Sequence, residues 1–446
     1  MKKFILTMNG KERTRLSRTL ATCLATGAIA LGPGGIATAE QPPVAYERLK
    51  LLASDLDEKD RFGDALALDD DTLLVGAKDK HGCKHGCSLG GRAYLFERQN
   101  GEWNEIARLT GSDPGSEDLF GIAVALAGDL AFVGASEASQ GHLRSDALTG
   151  GKVYVFENSV EVARLVPSNG NADDEFGCGL AVAGQTLLVA AKKAEYPGRG
   201  VVSSGRVYVF EQGPGGADDW TEVDQLSLPF LPEERFELFG SVIAADGDTL
   251  LVTSTGTNVP HAVDQVVWAL ERDSEGIWQH VGLLRSLDQE IDAGFGDALA
   301  VDGDRAIIGA SSADSFFPDT GAAYVFERDA AGEWRQIAKL QEEIETISEY
   351  GLSVGIDGDV AVVGSRGAVD GRGAAFVYHR NAGGPDRWGL VSVLLASDGE
   401  GGDSLGNSVA IDGLTVAAGA DDDDDACGPG GGEFCDSGAV YIFGEL

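Results

Sequence analysis

Three features of the sequence predict an all-β fold, a seven-bladed β-propeller of four-stranded blades closed by its N-terminal strand. The stretch "FGDALALDDDTLLVGA" (62–77) recurs six more times without a gap. Two further strand-like runs follow most copies, and one orphan strand stands before the first. A fixed period of this kind is the mark of a repeat architecture.

The copies are "FGIAVALAGDLAFVGA" (120), "FGCGLAVAGQTLLVAA" (176), "FGSVIAADGDTLLVTS" (239), "FGDALAVDGDRAIIGA" (295), "YGLSVGIDGDVAVVGS" (350) and "LGNSVAIDGLTVAAGA" (405), starting every 55 to 63 residues. Each joins two apolar, β-rich runs through a tight turn, the pattern of a hairpin. A third strand follows a loop of variable length, as in "GRAYLFER" (91–98), "GKVYVFE" (151–157) and "GAVYIF" (438–443). A fourth is often opened by tryptophan, as in "EWNEIARL" (102–109) and "EWRQIAKL" (333–340). Four antiparallel strands repeated seven times match a propeller.

Closure follows from the two ends. The seventh unit stops at Leu446 after its third strand, while "YERLKLLASD" (46–55) has no hairpin of its own. Its Leu51-Leu52-Ala53-Ser54-Asp55 repeats Leu394-Leu395-Ala396-Ser397-Asp398 from the end of the sixth unit. The N-terminal strand is therefore expected to complete the last blade, leaving no open end as a linear solenoid would have. Small residues of the first strand, such as Ala65, Ala67, Ala298 and Ala300, suit the axis where blades converge.

Residues 1–39 are expected to be a signal peptide. Lys2, Lys3, Lys11, Arg13, Arg15 and Arg18 make a basic start, 19–31 is apolar but short, and "ATAE" offers a cleavage site after Ala39. The domain is then 40–446, exported to the periplasm or beyond. Without the leader, 28 Lys and Arg face 71 Asp and Glu, a net charge of about −43. Such a chain repels phosphate backbones and anionic lipids, which excludes nucleic-acid and membrane-surface binding as expectations. Export permits disulfides, and the spacing suggests Cys83–Cys87 and Cys427–Cys435, with Cys178 left as a buried thiol.

The "FG … GD..LVGA … GAAYVF" pattern resembles the FG-GAP repeat, the blade of the propeller that heads integrin α subunits, over residues 46 to 446. The resemblance implies an extracellular binding or adhesion role, although the architecture itself serves many functions. Calcium-binding members expand the loop between the first two strands so that oxygens wrap the ion. Here that connection is only "LDDDT", "VDGDR" or "IDGDV", and the glycines at 128, 184, 247, 303, 358 and 413 point to a turn that requires positive φ. Asp70 stands at that position in the first copy, and aspartate tolerates that region.

No cofactor is expected. Asp421, Asp422, Asp423, Asp424 and Asp425 are the better calcium candidates, although five like charges in a row more commonly form a solvated run. "HGCKHGC" (81–87) sets His81, Cys83, His85 and Cys87 as alternatives between zinc ligands and a small disulfide loop. No catalytic constellation is visible, and His142, His261, His280 and His379 are isolated. Binding is expected in the long loops of one rim, where Tyr196, Phe316 and Phe317 could stack on a sugar or anchor a protein. Trp103, Trp220, Trp278, Trp334 and Trp388 recur at one place in the repeat and are expected to be structural. The expected protein is a monomeric, non-catalytic module for a protein or glycan ligand. A propeller lyase or hydrolase and a structural component of an envelope complex are the alternatives.

Overall fold

The computed structural model describes residues 43–55, 60–78, 90–113, 119–136, 150–171, 173–195, 204–228, 235–257, 265–288, 293–314, 320–342, 347–424 and 436–444. The leader, Tyr196, Phe316, Phe317, Asp425, the 81–87 loop, Cys427 and Cys435 lie outside these residues, as do His142 and His261.

Seven antiparallel sheets form an all-β propeller with almost no helix. Blade 1 is Phe62–Asp69, Thr72–Ala77, Arg92–Gln99 and Glu102–Leu109. Blade 2 is Phe120–Ala127, Leu130–Ala135, Lys152–Glu157 and Val160–Leu165. Blade 3 is Phe176–Ala183, Thr186–Ala191, Arg206–Gln212 and Trp220–Leu226. Blade 4 is Ile243–Asp246, Thr249–Thr257, Gln265–Arg272 and Trp278–Leu284. Blade 5 is Phe295–Asp302, Arg305–Ala310, Ala322–Arg328 and Trp334–Leu340. Blade 6 is Tyr350–Asp357, Val360–Ser365, Ala374–Arg380 and Trp388–Leu395.

Blade 7 takes Ser408–Asp412, Thr415–Ala420 and Ala439–Phe443 from the C-terminus and Leu49–Leu51 from the N-terminus, so the ring closes as the sequence predicts. Two additions were not legible in the repeat. Val44–Tyr46 pairs in parallel with the outer strand of blade 6, and Arg235–Glu237 lengthens blade 4 by pairing with Thr255–Thr257.

The two middle strands of each blade are almost wholly buried, because both of their faces meet neighbouring blades. The first residue of the hairpin anchors this packing. Phe62, Phe120, Phe176 and Phe295 each set a ring edge-on or tilted against a tyrosine of the third strand, Tyr94, Tyr154, Tyr208 and Tyr324. The glycine that follows has φ near +90° and touches the preceding blade. A Cβ on Gly121 would lie 2.3 Å from the Arg92 carbonyl oxygen, so both backbone conformation and close approach require glycine there.

The tight turns are as expected. Gly128, Gly184, Gly247, Gly303, Gly358 and Gly413 have φ between +54° and +63°, and Asp70 takes the same conformation at +51°. The aspartate ending the first strand has a further task. Asp69 Oδ2 accepts the amide of Gly128 in the next blade, Asp246 that of Gly303, Asp302 that of Gly358, Asp357 that of Gly413, and Asp412 that of Asp70. The triplet 69–71 is thus an inter-blade tie, a left-handed turn residue and an ion pair between Asp71 and Arg98 at 2.5 Å.

The outer strands bulge at one repeated position. Ile106, Val223, Val281 and Ile337 are skipped in the ladder and exposed. A bulge twists an edge strand away from further pairing, which guards the perimeter against edge-to-edge association. The tryptophans that open these strands are structural: Trp103 and Trp278 are buried, and Arg98 and Arg328 lie over Trp103 and Trp334.

Candidate functional site: the rim of long loops

All hairpin turns lie on one face of the ring, so the loops from second to third strand and from fourth strand to the next blade share the other. At its inner edge the residue before each hairpin is left-handed: Arg61, Leu119, Glu175, Leu238, Gly294, Glu349 and Ser404 have φ between +50° and +71°. Six of the seven are not glycine, so the packing of the rim holds a conformation that L-residues disfavour. Beside that position comes the residue after the second strand, such as Lys78, Lys192, Ser311, Arg366 or Asp421.

These positions build charge networks in a chain otherwise dominated by acids. Across blades 6, 7 and 1, Arg366 grips Glu349 at 2.5 and 2.7 Å, Arg61 reaches Asp421 at 2.8 Å and Asp422 at 3.2 Å, and Lys78 pairs with Asp64 at 2.5 Å. Burial, then the carboxylates of Asp422 and Asp64, push Asp421 up to about 6 against the opposing pull of Arg61 and Lys78. The ion pair and the raised value point in opposite directions. Burial prevails because Asp421 Oδ1 is enclosed without a hydrogen-bond partner while only Oδ2 meets Arg61.

On blade 3, Lys192 lies 3.1 Å from Glu175 and Lys193 also pairs with it, above the thiol of Cys178, a residue half-buried rather than fully buried as expected. Burial raises that thiol, and its Sγ faces the Ala190 carbonyl at 3.6 Å, the environment of an inert cysteine. On blade 5, Asp297 is raised by burial and accepts a hydrogen bond from Ser311 at 2.5 Å.

A second set of contacts ties the blades beneath this rim. Tyr94, Tyr154, Tyr324 and Tyr441 donate to Asp55, Asp113, Asp288 and Asp398, each aspartate coming from the segment that ends the preceding blade. Their partners across the ladder, Arg108, Arg164, Lys339 and Lys50, pair with the same carboxylates. Burial raises Asp113, but hydrogen bonds from Tyr154, Arg164 and Lys152 outweigh it and bring the group down to about 2.

The structure corrects one expectation. Asp421 and Asp423 do not belong to a solvated run, being 2 % and 0 % exposed, while Asp422 is half-buried and Asp424 exposed. The reason is cationic partners supplied by the N-terminal segment, Arg61 for Asp421 and Lys50 for Asp423 at 2.9 Å. Among the described residues no three His, Cys, Asp or Glu side chains gather as a metal would require. Sequence inspection named Asp423 but missed its burial, although a signal was present. Extending the repeat three residues past the second strand aligns it with Ala194, Ala313 and Ala368, all buried. His280 also has a place: its Nε2 lies 3.1 Å from the Ser227 carbonyl oxygen, against Trp268.

Among the described residues no helix is long and apolar enough to cross a membrane. Comparison with the curated proteins finds no match. Comparison with known families matches the FG-GAP repeat over residues 46–96, 103–156, 160–210, 278–326, 334–378 and 388–443. The unmatched stretch 211–277 holds most of blade 4, where the third-strand tyrosine is Trp268 and an extra strand is added. With six repeats matched over more than half its length and seven blades in the structure, the chain belongs to the FG-GAP repeat family.

Proposed function

We propose that this chain is an exported, non-catalytic binding module that recognises a protein or glycan through the rim of long loops. The observation that carries this reading is the difference between the two faces. One face repeats the same two-residue turn seven times, tied blade to blade by aspartates. The other varies its loops from blade to blade above a fixed floor of paired charges. Variation on a rigid scaffold is how binding surfaces are diversified. The floor supports binding further, since Arg61, Lys78, Lys192, Lys193 and Arg366 place cations at the inner edge of an acidic molecule, where an anionic or hydroxyl-rich ligand would meet donors.

The test is a glycan array together with capture from native envelope extracts, using the whole chain and variants in which the 196–203 and 315–319 loops are replaced by Gly-Ser segments. The expected outcome is saturable binding that the loop variants lose while their melting temperatures hold. Depolymerisation of an array glycan, or binding indifferent to both loops, would overturn it.

A further inference from the structure

Lys50 lies between two carboxylates, one buried and one open. Its Nζ lies 2.9 and 3.2 Å from the two oxygens of Asp423 and 3.0 Å from Asp398 Oδ2. Tyr441 sits between the carboxylates, its Oη 2.7 Å from Asp423 Oδ2 and 2.9 Å from Asp398 Oδ1. The Asp423 side chain is wholly buried, that of Lys50 is 16 % exposed and that of Asp398 is 40 % exposed.

Comparison between blades separates the ordinary part of this arrangement from the unusual part. Lys50, Asp398 and Tyr441 are the inter-blade tie found elsewhere, with Lys339, Asp288 and Tyr324 as its counterpart in blade 5. Asp423 is additional. Its backbone oxygen accepts the amide of Gly438 at 2.9 Å, as that of Ala313 accepts Gly321 and that of Ala194 accepts Gly205. At this shared position blades 3, 5 and 6 bury Ala194, Ala313 and Ala368, whereas blade 7 buries a carboxyl against a lysine. A buried ion pair of this kind is a poor source of stability, because desolvation offsets the attraction.

We propose that Lys50 and Asp423 condense to an intramolecular isopeptide bond that locks the N-terminal strand to the C-terminal blade. The step begins with one proton passing from the Lys50 ammonium to the Asp423 carboxylate, which leaves an amine and a carboxyl in contact. The neutral amine then attacks Asp423 Cγ, forming the C–N bond. Tyr441 Oη lies between the two carboxylates and turns its single proton from Asp398 Oδ1 to Asp423 Oδ2, where negative charge develops, as an oxyanion donor. Asp398, the more open carboxylate, takes a second proton from nitrogen and returns it to the departing hydroxyl. The C–O bond breaks and one water leaves, with nothing oxidised or reduced. Burial and the Asp423 carboxylate hold the Tyr441 phenol well above its ordinary range, so it remains a donor throughout. Held at contact distance, amine and carboxyl have the effective concentration that makes such a condensation intramolecular.

The proposal is independent of the ligand the rim binds. Intact-mass measurement of the full chain, reduced and with its N-terminus sequenced, is expected to show a mass one water below that of the open chain. Digestion should yield a branched peptide joining Lys50 to Asp423. Lys50→Arg keeps the charge and therefore the fold but supplies no nucleophile, and Asp423→Ala places there the alanine found in blades 3, 5 and 6. Both are expected to have the full mass. Asp398→Ala retains both reacting groups and is expected to leave most of the chain open. A folded wild-type chain that has lost no water overturns the proposal, as does a water loss that persists in Lys50→Arg. A water loss that persists in Asp423→Ala would equally refute the role of Asp423.

Discussion

Glu105 holds Ser54 with both carboxylate oxygens, one on the backbone amide at 2.8 Å and one on the hydroxyl at 2.7 Å. Ser54 follows the outer strand of blade 7 and Glu105 lies in the outer strand of blade 1. The same grip joins Glu161 to Ser112, Glu222 to Ser168 and Glu47 to Ser397. Glu105→Ala is expected to cost about 1 kcal/mol, since these are charge-assisted hydrogen bonds weakened by exposure. A double-mutant cycle with Ser54→Ala, read by chemical denaturation, should recover a coupling of similar size.

The two glycine sites separate backbone strain from contact. Gly121→Ala must place a methyl 2.3 Å from the Arg92 oxygen at φ +92°, so a loss of about 3 kcal/mol or more is expected. Gly128→Ala meets nothing within 4 Å and has only its φ of +56° to accommodate, so a loss of about 1 kcal/mol is expected. Asp70→Gly should change stability by less than about 1 kcal/mol, whereas Asp70→Val should lose about 2 kcal/mol, because a β-branched side chain resists positive φ. Thermal melts of the four variants give the order.

Stability should rise on mild acidification at the junction of blades 7 and 1. Asp421 has a folded value of about 6 against an ordinary 3.8. A raised value favours the folded state when protonated, so this contribution is fully present below pH 4 and lost as pH rises through 6. At about 1.4 kcal/mol per pKa unit the penalty at pH 7.5 is about 3 kcal/mol. Asp421→Asn is expected to recover a large part of it at pH 7.5 and to flatten the profile between pH 4 and 6. Asp113 works in the opposite sense: lowered to about 2, its contribution is present above pH 4 and fades as pH falls through 2. Urea titrations across pH 3 to 7.5 distinguish the two.

Removal of residues 40–55 should leave blade 7 with Ala439–Phe443 as a bare edge and take away the partners of Tyr94, Glu105 and Asp423. An exposed apolar edge strand is a template for pairing between chains. The truncated protein is therefore expected to unfold over a broadened transition and to form soluble aggregates in size-exclusion chromatography.

Hairpins, blade count and ring closure were all legible, because each is written in short-range periodicity and repeated seven times. Asp70 could be placed as a turn residue only because six copies show glycine there. The fifth strand on blade 6 was not legible: Val44 meets Val393 through main-chain pairing that leaves no side-chain pattern. The burial of Asp423 was hidden for a related reason, since its cation lies 373 residues away and a run of acids looks the same whether dry or wet. Tyr196, Phe316 and Phe317 fall in loops whose length varies, where no copy calibrates another.

The aspartate ties on the turn face all run the same way round the ring, from each blade to its successor. They cannot form where the first strand ends in Ala127 or Ala183, at the junctions leading into blades 3 and 4. Blade 4 also replaces the third-strand tyrosine with Trp268, and His280 stands where other blades set the glutamate grip on serine. In a ring of seven, the junction of blades 3 and 4 lies across from blade 7, where the chain's two ends meet. Local opening of the ring is therefore expected beside blade 4 rather than at the closed seam, and hydrogen exchange should show amide protection lost there first.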